Sequence, residues 1–277
     1  MRIIAIANQK GGVGKTTTAV NLSACLAERG IRVLLIDLDP QANATSGLGV
    51  APEEGLSLYE CLIDQKPISD KVIATGRDHL AMVPSHQELA GCEIELAQQG
   101  NHLSRLREVL QPLRSSGDYE FVVLDCPPSL GVIMTAALAA ADELIVPLQC
   151  EYFGLEGLSK IVEIVELIRG GGTNPELSME GIVMTMYDPR TNLAQQVVND
   201  VHQYFSAAVY QTVIPRTVRL GEAPSYGKTI VEYNPTGRGA EAYRAMANEF
   251  LHRRGYDVPA PAPSPAGGSG TPRATPA

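Results

Sequence analysis

One stretch limits this chain more than any other. An apolar run, Arg2–Asn8 (RIIAIAN), leads directly into Gln9-Lys10-Gly11-Gly12-Val13-Gly14-Lys15-Thr16-Thr17, and Thr16–Arg29 continues with helical spacing. A strand, a glycine-rich turn and a helix in that order set the positive end of a helix beside a backbone free to curl. Glycines 11, 12 and 14 let successive N–H groups face one concavity, because a residue without Cβ enters left-handed conformations freely. Such a concavity takes phosphate, with Val13 and Thr17 completing its wall. Lys15 can reach the β- and γ-phosphates, and Thr16 offers a hydroxyl to Mg2+.

The rest of the chain supplies the fold that such a loop needs. Further apolar runs lie at Arg32–Asp37, His79–Pro84, Tyr119–Asp125, Glu143–Pro147, Glu180–Tyr187 and Tyr210–Ile214, and helical patterns at 103–113, 154–169, 192–205 and 239–253 alternate with them. Several runs are continuously apolar rather than alternating, as in strands covered on both faces. The expectation is an α/β fold: a doubly wound, mostly parallel sheet with helices on both faces, whose ligands sit outside the carboxyl ends of the strands. One domain is expected over residues 1–256. Residues 257–277 form a Pro/Gly/Ala-rich tail too poor in large apolar groups to fold. No apolar run approaches the roughly 18–20 residues that cross a bilayer, no secretory leader is evident, and five scattered cysteines suit a reducing cytosol.

Carboxylates stand at the ends of two of the strands. Leu35-Ile36-Asp37-Leu38-Asp39-Pro40-Gln41 sets two of them at the edge where the ligand belongs, and Phe121-Val122-Val123-Leu124-Asp125 closes another apolar strand on an aspartate. Asp125 is expected beside Mg2+, with Thr16, in the manner of a phosphoryl-transfer site. Cys126 is read as a small packed residue, and no nucleophile–base constellation is evident.

The form K-G-G-x-G-K-T, with Gln9 where the ordinary pattern has glycine, resembles the deviant Walker A motif of the ParA/MinD superfamily of P-loop NTPases. The runs at 39–49 (DPQANATSGLG), 187–193 (YDPRTNL) and 214–225 (IPRTVRLGEAPS) extend the resemblance across residues 2–256, to chromosome- and plasmid-partitioning ATPases of the Soj type. The resemblance implies ATP and Mg2+ as ligands, slow ATP hydrolysis, ATP-dependent homodimerisation, non-specific DNA binding by the dimer, and stimulation by a ParB-type centromere-binding partner on the nucleoid. It further implies that Lys10 reaches the partner's phosphates, that Asp39 orients the attacking water, and that Asp37 lies near the Mg2+ shell. Arg190 and Arg219 match DNA-contacting arginines, with Arg216 as a helper. A first strand beginning at Arg2 leaves no room for the N-terminal DNA-binding extension of larger plasmid members.

Three neighbouring branches fit less well. MinD-like ATPases at a membrane surface end in an amphipathic helix, whereas this C-terminus has no amphipathic stripe. Iron–sulfur reductases of the superfamily carry paired cysteines in a glycine-rich setting, and Cys126 and Cys150 are not in one. The tyrosine kinases end in a tyrosine cluster, and nothing after Tyr256 is tyrosine.

A formal net charge of -9 sits awkwardly with a DNA partner, but the charge is unevenly spread. Residues 1–185 hold 13 Lys+Arg against 24 Asp+Glu, a net of -11, while residues 186–256 hold 8 against 6, a net of +2. Arginines on phosphates give salt-dependent, sequence-independent affinity, and two such patches joined in a dimer add their contacts. Residues touching the base are not legible beyond the neighbourhood of Tyr187 and Pro215.

Overall fold

The computed structural model describes residues 1–259 except 152, 153, 206 and 207; the tail expected at 257–277 lies outside the described residues from 260 onward. The strands are β1 (Arg2–Ile6), β2 (Val33–Asp37), β3 (Ile73–Arg77), β4 (Leu80–Val83), β5 (Phe121–Asp125), β6 (Glu143–Gln149) and β7 (Ser178–Thr185). The helices are α1 (Lys15–Ala27), α2 (Asn43–Gly47), α3 (Tyr59–Ile63), α4 (Leu89–Ala97), α5 (His102–Ser116), α6 (Val132–Ala140), α7 (Gly154–Gly170), α8 (Asn192–Phe205), α9 (Val218–Glu222), α10 (Ile230–Tyr233) and α11 (Arg238–His252). The strands form one seven-stranded sheet in the order β3-β4-β2-β5-β1-β6-β7, parallel throughout except for β3, which runs antiparallel to β4 at one edge.

The continuous apolar runs are explained by two cores, one on each face. Ile3 and Ala5 of β1, Leu34 and Ile36 of β2, and Val122 and Leu124 of β5 pack into a cluster with α3 to α8. The alternate residues Ile4, Ile6, Val33, Leu35, Phe121 and Val123 pack on the other face against α1, α10 and α11. Side chains alternate along a strand, so a strand buried on both faces has no polar phase.

Helices α2, α3, α4, α9 and α10 fall outside the helical patterns read from the sequence, and three other elements depart from that reading. The run Tyr210–Ile214 is not a strand of the sheet. It follows β7 through Tyr210 N–H to Ile182 O (2.9 Å) and Ile214 N–H to Met184 O (2.8 Å), but the N–H groups of Gln211 and Thr212 donate to the buried Glu249 carboxylate instead. Strand β3 went unanticipated, since its IATGR sequence is half-exposed and carries a glycine. Helix α6 lies in none of the helical patterns read from the sequence, and it is a buried helix of the first core.

Candidate active site

The topology brings two acids together. In parallel register Asp37 of β2 pairs with Asp125 of β5, which pairs in turn with Ile6 of β1, the strand that feeds the glycine loop. Asp37 and Asp125 share the phase of the residues packed on the α1 side, so both carboxylates lie on the face from which α1 starts.

The loop itself is held open by its glycines. Gly12 and Gly14 have φ of 73° and 87°, which residues with a Cβ adopt only with strain. Gly14 is the N-cap of α1; no side chain caps the helix and its first turn holds no acid, so its leading N–H groups are left for an anion. Thr185, at the end of β7, donates its hydroxyl to Val13 O at 2.8 Å and ties the loop to the sheet. Lys15 is buried, and its ammonium donates to Lys10 O at 3.2 Å. Burial draws its pKa down, opposed first by the Asp125 carboxylate.

Asp125 is fully buried, and neither of its oxygens has a hydrogen-bond partner among the described residues. Burial first, and then the neighbouring Asp37 carboxylate, raises its pKa well above the usual carboxylate range; Thr16 and Lys15 pull the other way. An unpaired buried carboxylate is costly, and a cation relieves the cost. Asp125 and the half-buried Thr16 therefore fit a Mg2+ site.

Asp37, the register partner of Asp125, is already held by hydrogen bonds. Its Oδ1 accepts the Asp39 N–H at 3.1 Å, and its Oδ2 accepts the Thr45 N–H at 2.9 Å and hydroxyl at 2.7 Å. Burial pushes its pKa up to about 6. Its carboxylate staples down the segment that follows β2. In that segment Asp39 is 8% exposed and, among the described residues, uses only Oδ1, which accepts the Gln41 N–H at 3.0 Å. Lys10 stands at the mouth of the loop, its ammonium 3.5 Å from Gln149 Oε1 and 3.8 Å from Glu151, with its side chain 31% exposed. Cys126 is buried and burial raises its thiol pKa, as suits a packed residue.

A cavity of about 250 Å3 opens beside the loop, between Gly14 and Thr17 on one side and Met186, Pro215, Thr217 and Leu220 on the other. Pro215 lies where the sequence pointed, bridged to Tyr187, whereas Tyr187 turns its hydroxyl to Gln195 at 2.7 Å and does not line the cavity. Met186, Thr217 and Leu220 were not read as lining a nucleotide site, although Thr217 and Leu220 lie in the run at 214–225, because only the packing of residues 214–221 across the loop makes them a wall.

The basic third is built differently. Arg190, 86% exposed, grips Asp188 through Nε (2.9 Å) and Nη2 (2.7 Å), and holds that carboxyl down at about 2. Arg219 donates to Glu222 at 2.8 Å, and Tyr233 donates to the same carboxylate at 3.0 Å. Arg216, Lys228 and Arg238 are exposed and join none of the ion pairs found among the described residues. Arg216 also borders the cavity beside the loop.

Comparisons with known proteins agree with this architecture. Residues 1–179 match the family profile described as "AAA domain". The chain is 48% identical over 253 residues to the chromosome partitioning protein ParA of Myxococcus xanthus, covering 91% of this chain and 88% of that one. It is 49% identical over 249 residues to the sporulation initiation inhibitor protein Soj of Bacillus subtilis, covering 90% and 97%. A solved structure of cobyrinic acid a,c-diamide synthase from Mycobacterium smegmatis, with bound ADP and magnesium, superposes with a TM-score of 0.80 at 35% identity over 95% of this chain and 100% of that one. The chain belongs to the ParA/Soj family of chromosome-partitioning ATPases.

Proposed function

We propose that residues 1–256 form a single ATP-driven switch that dimerises on Mg·ATP, binds non-specific DNA as the dimer, and releases it after hydrolysis stimulated by a ParB-type partner. The observation that carries this reading is Asp125, a carboxylate buried beside Lys15 with both oxygens unpaired. In this scheme the N–H groups of residues 11–17 hold the phosphates, and the Lys15 ammonium exchanges its contact with Lys10 O for a phosphate oxygen. Thr16 and Asp125 hold the magnesium ion, which when bound neutralises charge on the phosphate oxygens. Asp39 accepts a hydrogen bond from the attacking water and so orients it, while Lys10 leaves Gln149 and Glu151 to stabilise charge at the partner's site. The cavity beside the loop takes the nucleoside.

On the outer surface, Arg190, Arg219 and Arg216 meet phosphates of the DNA backbone, which places the protein on the nucleoid. No helix among the described residues is long and apolar enough to cross a membrane.

The direct test is ATP hydrolysis by the full chain, alone, with non-specific DNA, and with DNA plus a ParB-type partner. Slow basal turnover that rises when both are present supports the switch. Turnover indifferent to both, together with ATP-dependent sedimentation on liposomes, would replace it with a MinD-like membrane-surface role.

A further inference from the structure

Thr45 lies in α2 and is completely buried. Its hydroxyl donates to Asp37 Oδ2 at 2.7 Å and accepts the Ser85 N–H, just past β4, at 2.8 Å. The direction is forced. An amide N–H can only donate and an ionised carboxylate can only accept, so the single hydroxyl proton goes to Asp37. Asp37 in turn accepts the Asp39 N–H on its other oxygen at 3.1 Å. A relay therefore runs from the end of β4, through Thr45 and the end of β2, to the backbone of Asp39. Beyond this relay, the Asp39 turn is closed by Ala42 N–H to Asp39 O at 2.9 Å, with Ala42 itself at a φ of 52°, a conformation that a residue with a Cβ holds only under constraint.

The groups read as holding phosphate come from a different segment, between β1 and α1. Loosening the relay should thus disturb Asp39 without emptying the nucleotide site.

We infer that Thr45 is a positioning residue for hydrolysis: its hydroxyl, through Asp37, holds Asp39 where it meets the attacking water and so sets the rate of the chemical step rather than the affinity for ATP. The inference rests on reading Asp39 as the residue that orients the water.

Its test is single-turnover hydrolysis of Mg·ATP by the full chain, measured beside the Kd of a fluorescent ATP analogue, in Thr45→Val, Thr45→Ser and Asp39→Ala. Thr45→Val keeps the shape and the Thr45 N–H bond to Asp37 but loses the hydroxyl link to Asp37 and Ser85, so its hydrolysis should slow by about ten- to a hundredfold while Kd stays within about twofold. Thr45→Ser keeps the hydroxyl and should recover the rate to within about threefold. A Thr45→Ser as slow as Thr45→Val would overturn the inference, because the methyl group and not the relay would then matter. Wild-type hydrolysis in Thr45→Val with a dead Asp39→Ala also overturns it and leaves the Asp39 reading standing. Wild-type hydrolysis in Asp39→Ala sinks both together. Should the valine methyl pressed on the Asp37 carboxylate prevent folding, Thr45→Ala makes the same comparison: slow hydrolysis at unchanged Kd supports the inference, and an unchanged rate overturns it.

Discussion

The strand edge and the basic third handle charge in opposite ways. At the strand edge Asp125 is buried with both oxygens unpaired, and Lys15 makes its contact to a backbone carbonyl of its own loop. In the basic third, Arg190 and Arg219 are exposed, and each is satisfied by a carboxylate two or three residues away. A buried unpaired charge destabilises the fold until a ligand arrives, so the first region is poised for tight, geometrically fixed binding. An exposed ion pair is worth little, and its arginine exchanges a carboxylate for a phosphate at small cost. The second region is thus suited to weak, reversible contacts that gain strength only when two copies add theirs.

Lys15→Ala probes the buried side most severely. Nucleotide affinity should fall by more than about a hundredfold in a fluorescence titration, since the variant removes the one ammonium buried at the loop. Affinity near that of the wild type would mean that the strand edge is not where the energy lies.

The joint between the two regions comes next. Residues 223–226, just after α9, pack on α2, and Gly227 meets Gly49 there; a Cβ on Gly227, at a φ of 62°, would stand 2.6 Å from Gly49 Cα. Gly227→Ala should lower stability in urea by about 1–3 kcal/mol. No loss would mean that the two segments part freely.

On the exposed side, Arg219→Glu should cut DNA retention, with ATP at low salt, by about tenfold and leave ATP binding intact. Glu222→Gln should act in the opposite direction by about two- to threefold, because Arg219 loses its charged partner. Equal DNA binding by both variants would erase the contrast drawn between the regions.

The smallest effect separates stability from function. Asp125→Asn removes a carboxylate that burial disfavours. Its folded pKa lies above the unfolded one, so the charged form subtracts stability at neutral pH and the neutral amide does not. Calorimetry without nucleotide should show a Tm higher by about 2–4 °C, equivalent to roughly 1 kcal/mol at this size, and added Mg·ADP should stabilise the variant less than the wild type. A lower Tm would show that Asp125 is satisfied by something else.

Legibility followed the same divide. The loop at 9–17 and the two acids were readable because each is a short segment whose spacing is its geometry: strand, then turn, then helix, or an apolar strand closing on aspartate. The register of β2 against β5 only brought together what the sequence had already placed at strand ends. The hydrogen bonds of Asp37 to Asp39 and Thr45 were not readable, because they depend on how the segment after β2 folds back. The run Tyr210–Ile214 has the composition of a strand and lost that role to Glu249, a carboxylate from α11 that claims its amides. Likewise, Arg190 and Arg219 were visible as cations, but their local neutralisation was not.

By itself the sequence determined six of the seven strands, the long helices, the glycine loop and the acids at strand ends, because these follow from backbone conformation and from the periodicity of burial. Tertiary structure alone decided which oxygens remain unpaired, which arginines stay free, and which residues wall the cavity beside the loop. Those properties belong to pairs of groups far apart in the chain, and a hydrogen bond or an ion pair exists only once packing has fixed both ends.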